Sequence, residues 1–153
     1  MYFGNIDRLR YVNYGARRLG EFPIGRLTSL QELCNYRIQG SKGNKISAIK
    51  NLRTLRELQV FGLENVESLE EADNAKLSEK QYLNSLSLMW SAQLESAPRF
   101  DEMGHLRELN ISNCPKLRVS GAGKLRSLRD LPSSLKWLHV MRDVCCLVDG
   151  GTD

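Results

Sequence analysis

The strongest constraint on this chain is an apolar spacing that fits neither a helix nor a single strand. The stretch "HLRELNISNCPKL", His105 to Leu117, places Leu106, Leu109, Ile111, Cys114 and Leu117 at gaps of three, two, three and three residues. A helix face needs a period near 3.6 and a strand face a period of 2, and neither period holds over this stretch. The order L-x-x-L-x-L then recurs. "LRTLRELQVFGLENV" carries Leu52, Leu55, Leu58, Val60, Leu63 and Val66; "YLNSLSLMW" carries Leu83, Leu86 and Leu88; "LPSSLKWLHV" carries Leu131, Leu135, Leu138 and Val140. Looser copies stand earlier, at Leu30, Leu33, Tyr36 and Ile38, and before them at Leu9, Val12 and Tyr14.

Taking Val12, Tyr36, Leu58, Leu86, Leu109 and Leu138 as the first apolar residue of each short strand gives steps of 24, 22, 28, 23 and 29 residues. Leucine-rich repeats have periods of about 20–29 residues. The expected fold is therefore an α/β solenoid: a short leucine-rich-repeat arc with a parallel concave sheet and an irregular helix and loop convex side. Residues 1–141 form the repeat domain, about six irregular repeats, and 142–153 form a non-repeat tail expected to be disordered. In each L-x-L the two apolar side chains point inward and their neighbours outward. Leu58, Leu86, Leu109 and Leu138 should thus be buried at equivalent positions. Cys114 takes the turn position of its repeat, where burial would blunt its thiol. Of the return paths, "ESLEEADNAKLSEKQ" (Glu67 to Gln81) reads as a helix opened by a Ser68 and Glu71 capping box, with Leu69, Ala72 and Leu77 as apolar points. Residues 39–45 read as a polar loop, and 91–104 as a connection of weak helical character.

Charge narrows the function classes. Residues 1–66 hold 11 basic and 5 acidic side chains, 67–104 hold 3 and 8, and 105–153 hold 8 and 5, so the chain alternates from +6 to −5 to +3. Alternation of this kind suits specific protein contacts better than a uniform nucleic-acid surface, and few aromatics interleave with the basic residues. No apolar run approaches the roughly 20 residues of a membrane helix. The first twenty residues lack the apolar stretch of a signal peptide, so a cytoplasmic or nuclear setting and reduced cysteines are expected.

Each chemistry-bearing motif has a plainer reading. "SGAGKL" (Ser120 to Leu125) echoes a phosphate-binding loop, but Arg118 and Leu125 replace its first glycine and its metal-holding hydroxyl. His105 and His139 are far apart, with no serine or second histidine at catalytic or metal spacing. Cys34, Cys114, Cys145 and Cys146 form no C-x-x-C pair. Asn110-Ile-Ser112 matches a glycosylation acceptor and reads more simply as strand sequence. The chain is expected to be no enzyme and to hold no cofactor or metal.

The outward positions of the strands are then the place to look. Their columns read Tyr11, Asn35, Glu57, Ser85, Glu108, Trp137; then Asn13, Arg37, Gln59, Ser87, Asn110, His139; then Gly15, Gln39, Phe61, Met89, Ser112, Met141. Large apolar groups amid polar ones mark a protein-binding face. The candidate contact residues are Arg37, Gln59, Phe61, Met89, Asn110, Trp137 and His139. Trp90, beside the third column, suits binding or packing against a loop.

"IGRLTSLQEL", "LRELNISNCPKL", "LPSSLKWLHV" and above all "ENVESLEEADNAKLSEKQYLNSLSLMWS" resemble the leucine-rich-repeat region of plant intracellular disease-resistance receptors of the nucleotide-binding, coiled-coil class. The likeness runs over roughly residues 6–141. It implies a recognition module of innate immunity that binds a pathogen effector, a guarded host protein or the receptor's own nucleotide-binding core. For that last contact it points to a basic patch of Arg8, Arg10, Arg17, Arg18 and Arg26. The chain has no nucleotide-binding module, so a second reading is a scaffold or decoy that binds a full-length receptor through exposed repeat ends.

Overall fold

The computed structural model describes residues 6–15, 22–40, 43–89, 103–112 and 131–141. Six strands form one sheet in chain order: β1 Tyr11–Asn13, β2 Glu32–Arg37, β3 Glu57–Phe61, β4 Ser85–Met89, β5 Glu108–Ser112 and β6 Trp137–Met141. Every neighbouring pair is parallel, and the register from β3 to β6 is unbroken: Leu58, Leu86, Leu109 and Leu138 are direct partners.

A repeated backbone contact sets this register. The carbonyl just before each strand accepts two consecutive N–H groups from the next repeat. Arg10 O takes those of Gln31 and Glu32 at 2.8 and 2.9 Å; Gln31 O takes Arg56 and Glu57 at 2.7 and 3.1 Å. Arg56 O takes Asn84 and Ser85, Asn84 O takes Arg107 and Glu108, and Arg107 O takes Lys136 and Trp137, all within 3.1 Å. Since a one-residue slip would turn every inward leucine outward, this contact and the apolar pattern specify the same pairing.

The core lies on one side of the sheet. Leu33, Leu86 and Leu109 are fully buried and Leu58 nearly so, with Leu30, Leu52, Leu55, Leu83 and Leu106 filling the turns that lead into the strands. Each such leucine contributes about 1.5–3 kcal/mol relative to exposure. Polar side chains seal the turn carbonyls of the preceding repeat: Thr54 donates to Leu30 O at 2.7 Å and Ser134 to Leu106 O at 2.7 Å. Lys80 does the same, donating to Ile49 O at 2.8 Å and Leu52 O at 3.3 Å while 3% exposed.

Four expectations need correction. Leu33, not Tyr36, is the partner of Val12 and Leu58, because β2 carries an extra residue and its register shifts between Leu33 and Tyr36. Asn35 is that residue, at φ 56°, a left-handed conformation that asparagine tolerates better than most side chains. Tyr36 nonetheless remains inward, buried beside Tyr14 with ring centroids 5.2 Å apart. Second, Leu138 is 40% exposed, because among the described residues β6 pairs with β5 alone and no further strand covers its inner side. Third, Gly15 and Gln39, expected in the last outward column, lie outside the strands; Leu9, at the opposite end of the sheet from Leu138, is 41% exposed.

The fourth is the helix expected over 67–81. It is only one turn long, α1 Leu69–Asp73, followed by a 3-10 turn at Leu77–Glu79. The cap is as expected: Ser68 Oγ accepts from the Glu71 N–H at 3.1 Å, and the Glu71 carboxylate reaches back to the Glu67 N–H at 3.0 Å. Continuation fails because both Ala75 and Leu77 enter the core. Two residues apart on a helix they would face nearly opposite ways, so the chain breaks at Lys76, φ 56°.

Trp90, Cys114, the 120–125 loop, Cys145, Cys146, the tail 142–153 and all of 91–104 except Met103 and Gly104 lie outside the described residues. No helix among the described residues is long and apolar enough to cross a membrane.

Two measurements test this core. Leu86→Ala and Leu109→Ala should each cost about 2–5 kcal/mol in urea unfolding, whereas Leu138→Ala should cost less than about 1.5 kcal/mol, having little buried volume to lose. Equal losses at all three would contradict the uncovered β6. Burial pushes the Lys80 ammonium down from 10.5 to about 8, opposed by Glu79 and assisted by Arg53. Between those values the unfolded chain binds more protons than the folded one, so stability should rise with pH. Wild type should therefore gain stability relative to Lys80→Met between about pH 7.5 and 9.5; parallel pH curves for the two proteins would show that Lys80 is not buried.

Candidate functional site

The outer face of the sheet arranges its side chains in rows that cross the strands. Nearest the strand starts run Tyr11, Glu32, Glu57, Ser85, Glu108 and Trp137 in direct register. The middle row has Asn13 and Cys34 on one side of the β2 bulge and Gln59, Ser87, Asn110 and His139 on the other. The third row is Arg37, Phe61, Met89 and Ser112.

The bulge rearranges the expected columns. Asn35 leaves the first, Glu32 replaces it, and Arg37 moves from the Gln59 row to the Phe61 row. There its guanidinium carbon lies 5.7 Å from the centre of the Phe61 ring, a cation–π contact of about 0.5–1 kcal/mol at such an exposed site. Gly15 and Gln39 fall outside the strands altogether.

Hydrogen bonds bind the bulge into the face. Asn35 Nδ2 donates to Asn13 Oδ1 at 2.7 Å, and the Asn35 N–H donates to Gln59 Oε1 at 3.2 Å. Asn13 Oδ1 also accepts the Gly15 N–H at 2.8 Å. Gln59 therefore has a structural partner in addition to its outward position. Asn110 is similarly held, donating to Ser87 Oγ and to Glu108 Oε1, each at 3.1 Å. Trp137, 63% exposed, stands out from the sheet, and His139 is exposed beside it; Phe61 and Met89 are half-buried. The seven candidate contact residues thus share one face, with Trp137 near the strand starts and Arg37, Phe61 and Met89 near the strand ends.

Some features of this face were not singled out from the sequence. Tyr11 is 53% exposed, the counterpart of Trp137 at the opposite end of the same row; its signal was an aromatic at an outward position. Cys34 faces outward because the bulge puts it there. Burial raises its thiol pKa, and the neighbouring Glu32 and Glu57 carboxylates raise it further, so the thiol stays protonated. The residue preceding each strand forms another row, in which Arg10, Arg56, Arg107 and Lys136 are exposed.

Of the expected basic patch, Arg8, Arg10 and Arg26 are exposed on separate elements, in the turn Ile6–Arg8, before β1 and in the turn Ile24–Arg26. Arg17 and Arg18 lie outside the described residues. No group of three or more His, Cys, Asp or Glu that could hold a metal ion occurs among the described residues.

With this geometry in place, the comparison with known families is specific. Residues 46–103 match the family model described as R13L1/DRL21 LRRs, leucine-rich repeats like those of plant disease-resistance proteins. The match runs from the turn before β3, through α1 and β4, to Met103. Together with six parallel strands in chain order, it is consistent with a leucine-rich-repeat-like α/β arc. No curated protein and no solved structure matches the chain.

Asn35 is the position on which this face's layout rests. Asn35→Gly should be nearly neutral, since glycine adopts the left-handed conformation freely, whereas Asn35→Val should cost about 1–3 kcal/mol. Thermal unfolding of the two variants decides it; a valine tolerated like glycine would rule out the strained bulge.

Proposed function

We propose that this chain is a protein-recognition module of plant innate immunity, the leucine-rich-repeat part of an intracellular disease-resistance receptor. On this reading it is a non-enzymatic solenoid arc whose outer sheet face is concave. Its partner is a pathogen effector, a guarded host protein or the receptor's nucleotide-binding core. The observation that carries the proposal is the family match over residues 46–103, which includes the two central strands of the face. What supports the choice of face is its make-up: an exposed Trp137, a half-buried Phe61 under Arg37, and polar neighbours already fixed by hydrogen bonds. Rigid aromatic anchors surrounded by satisfied polar groups are what binding hot spots are made of. A cytoplasmic location, with the nucleus as an alternative, follows from the same reading.

A second reading has its own observation. The inner-side residue Leu138 is 40% exposed at one end of the sheet and Leu9 41% at the other, which suits a scaffold or decoy that binds a full-length receptor through its repeat ends.

Co-purification from plant tissue separates the two. Under the recognition reading, effectors or guarded proteins are recovered, and Trp137→Ala weakens capture by roughly thirtyfold, about 2 kcal/mol. Glu70→Ala, on the exposed face of α1, should change it less than about threefold. Glu71 is a poor control because its carboxylate caps the helix. Recovery of receptor fragments, lost with Leu138→Asp and retained with Trp137→Ala, would establish the decoy instead.

A further inference from the structure

Two adjacent rows at the strand starts are complementary to each other. In four of the six repeats the residue just before the strand is basic: Arg10, Arg56, Arg107 and Lys136. The backbone contact that repeats at this position aligns them with Gln31 and Asn84 in one row. One residue on, the strands begin with the row of three glutamates bracketed by the exposed aromatics Tyr11 and Trp137. Among the described residues, none of Arg10, Arg56, Arg107, Lys136, Glu32 and Glu57 forms an ion pair. Five strand spacings of about 4.8 Å make each row roughly 24 Å long.

We infer that this double row is a self-association surface whose occupant is a second copy of the chain, related by a two-fold axis that runs along the rows. Such an axis reverses the strand direction and keeps the strand order. It lays each copy's basic row over the other's acidic row. Arg56 then meets the second copy's Glu57, and Arg107 its Glu108, each contact occurring twice. At the ends Arg10 meets Tyr11 and Lys136 meets Trp137, cations over exposed aromatic rings. At the uncharged positions Gln31 faces Glu32 and Asn84 faces Ser85, a hydrogen-bonding match in both places. All six positions are complementary, as a closed two-fold interface requires, since each patch must fit itself. A purely acidic or purely basic partner would satisfy one row and be repelled by the other; a second copy satisfies both. This inference goes beyond the proposed recognition role. It would cover Trp137, so the dimer and a recognised partner compete for that anchor, while Arg37, Phe61 and Met89, at the opposite ends of the strands, stay free.

Sedimentation velocity on the whole chain tests it. Wild type should dimerise at about 50 μM protein in low salt, with a Kd of order 10 μM, and dissociate as salt is added. Arg56→Glu/Arg107→Glu places acid against acid and should weaken self-association by about a hundredfold or more, as should Glu57→Arg/Glu108→Arg, which places base against base. Mixed in equal amounts, the two double variants should form a heterodimer, because each row of one then opposes a row of opposite charge on the other. That recovery also shows both variants to be folded. A wild-type chain that stays monomeric overturns the inference, as does a dimer that survives both double substitutions or a mixture that fails to recover.

Discussion

One backbone contact organises this protein: the carbonyl before each strand accepts two consecutive N–H groups from the repeat that follows. It recurs five times, and each occurrence aligns one repeat on the one before. Inward leucines then meet in a straight buried row, and outward residues meet in rows on the opposite face. A carbonyl has two lone pairs, so the arrangement satisfies both on a group that would otherwise be half-used at the entrance to the core. Thr54, Lys80 and Ser134 extend the same economy to the turns. They let chemically unlike return paths close over one core, which is how a repeat architecture tolerates irregular connections.

The ends of the sheet show the limit of nearest-neighbour packing. Leu58, Leu86 and Leu109 each have a strand on both sides and are buried, whereas Leu138, the next in the row, has one neighbouring strand among the described residues and is 40% exposed. A repeat buries its apolar face only between two others, so position in the array decides burial as much as residue type does. At the two ends of the outer row the aromatics Tyr11 and Trp137 are left 53% and 63% exposed.

Much of this was legible in the residues. The L-x-x-L-x-L spacing indicated the strands and the inward set from β3 to β6, since period 2 within a strand leaves little freedom about which side chains face the core. Ser68 and Glu71 indicated the helix start because capping is a local interaction of three residues. What failed needed information from outside the segment. The bulge at Asn35 keeps both Leu33 and Tyr36 inward although they are three residues apart; taking Tyr36 as the first inward residue of the strand misplaced Arg37 by one row. α1 stops after one turn because Ala75 and Leu77 are both required by the core, a requirement set by the neighbouring repeat rather than by helix propensity.

The sequence by itself therefore determined the repeating unit, the parallel sheet it builds and the side of each regular strand that faces inward, because these follow from apolar spacing and short-range hydrogen bonding. Only the tertiary structure decided which outward side chains are neighbours, that Arg37 lies over Phe61, that Lys80 is buried against backbone carbonyls, and that Leu138 is left exposed. Those depend on register across strands some 20 to 30 residues apart in the chain. A single bulge changes that register without leaving a mark on the local pattern.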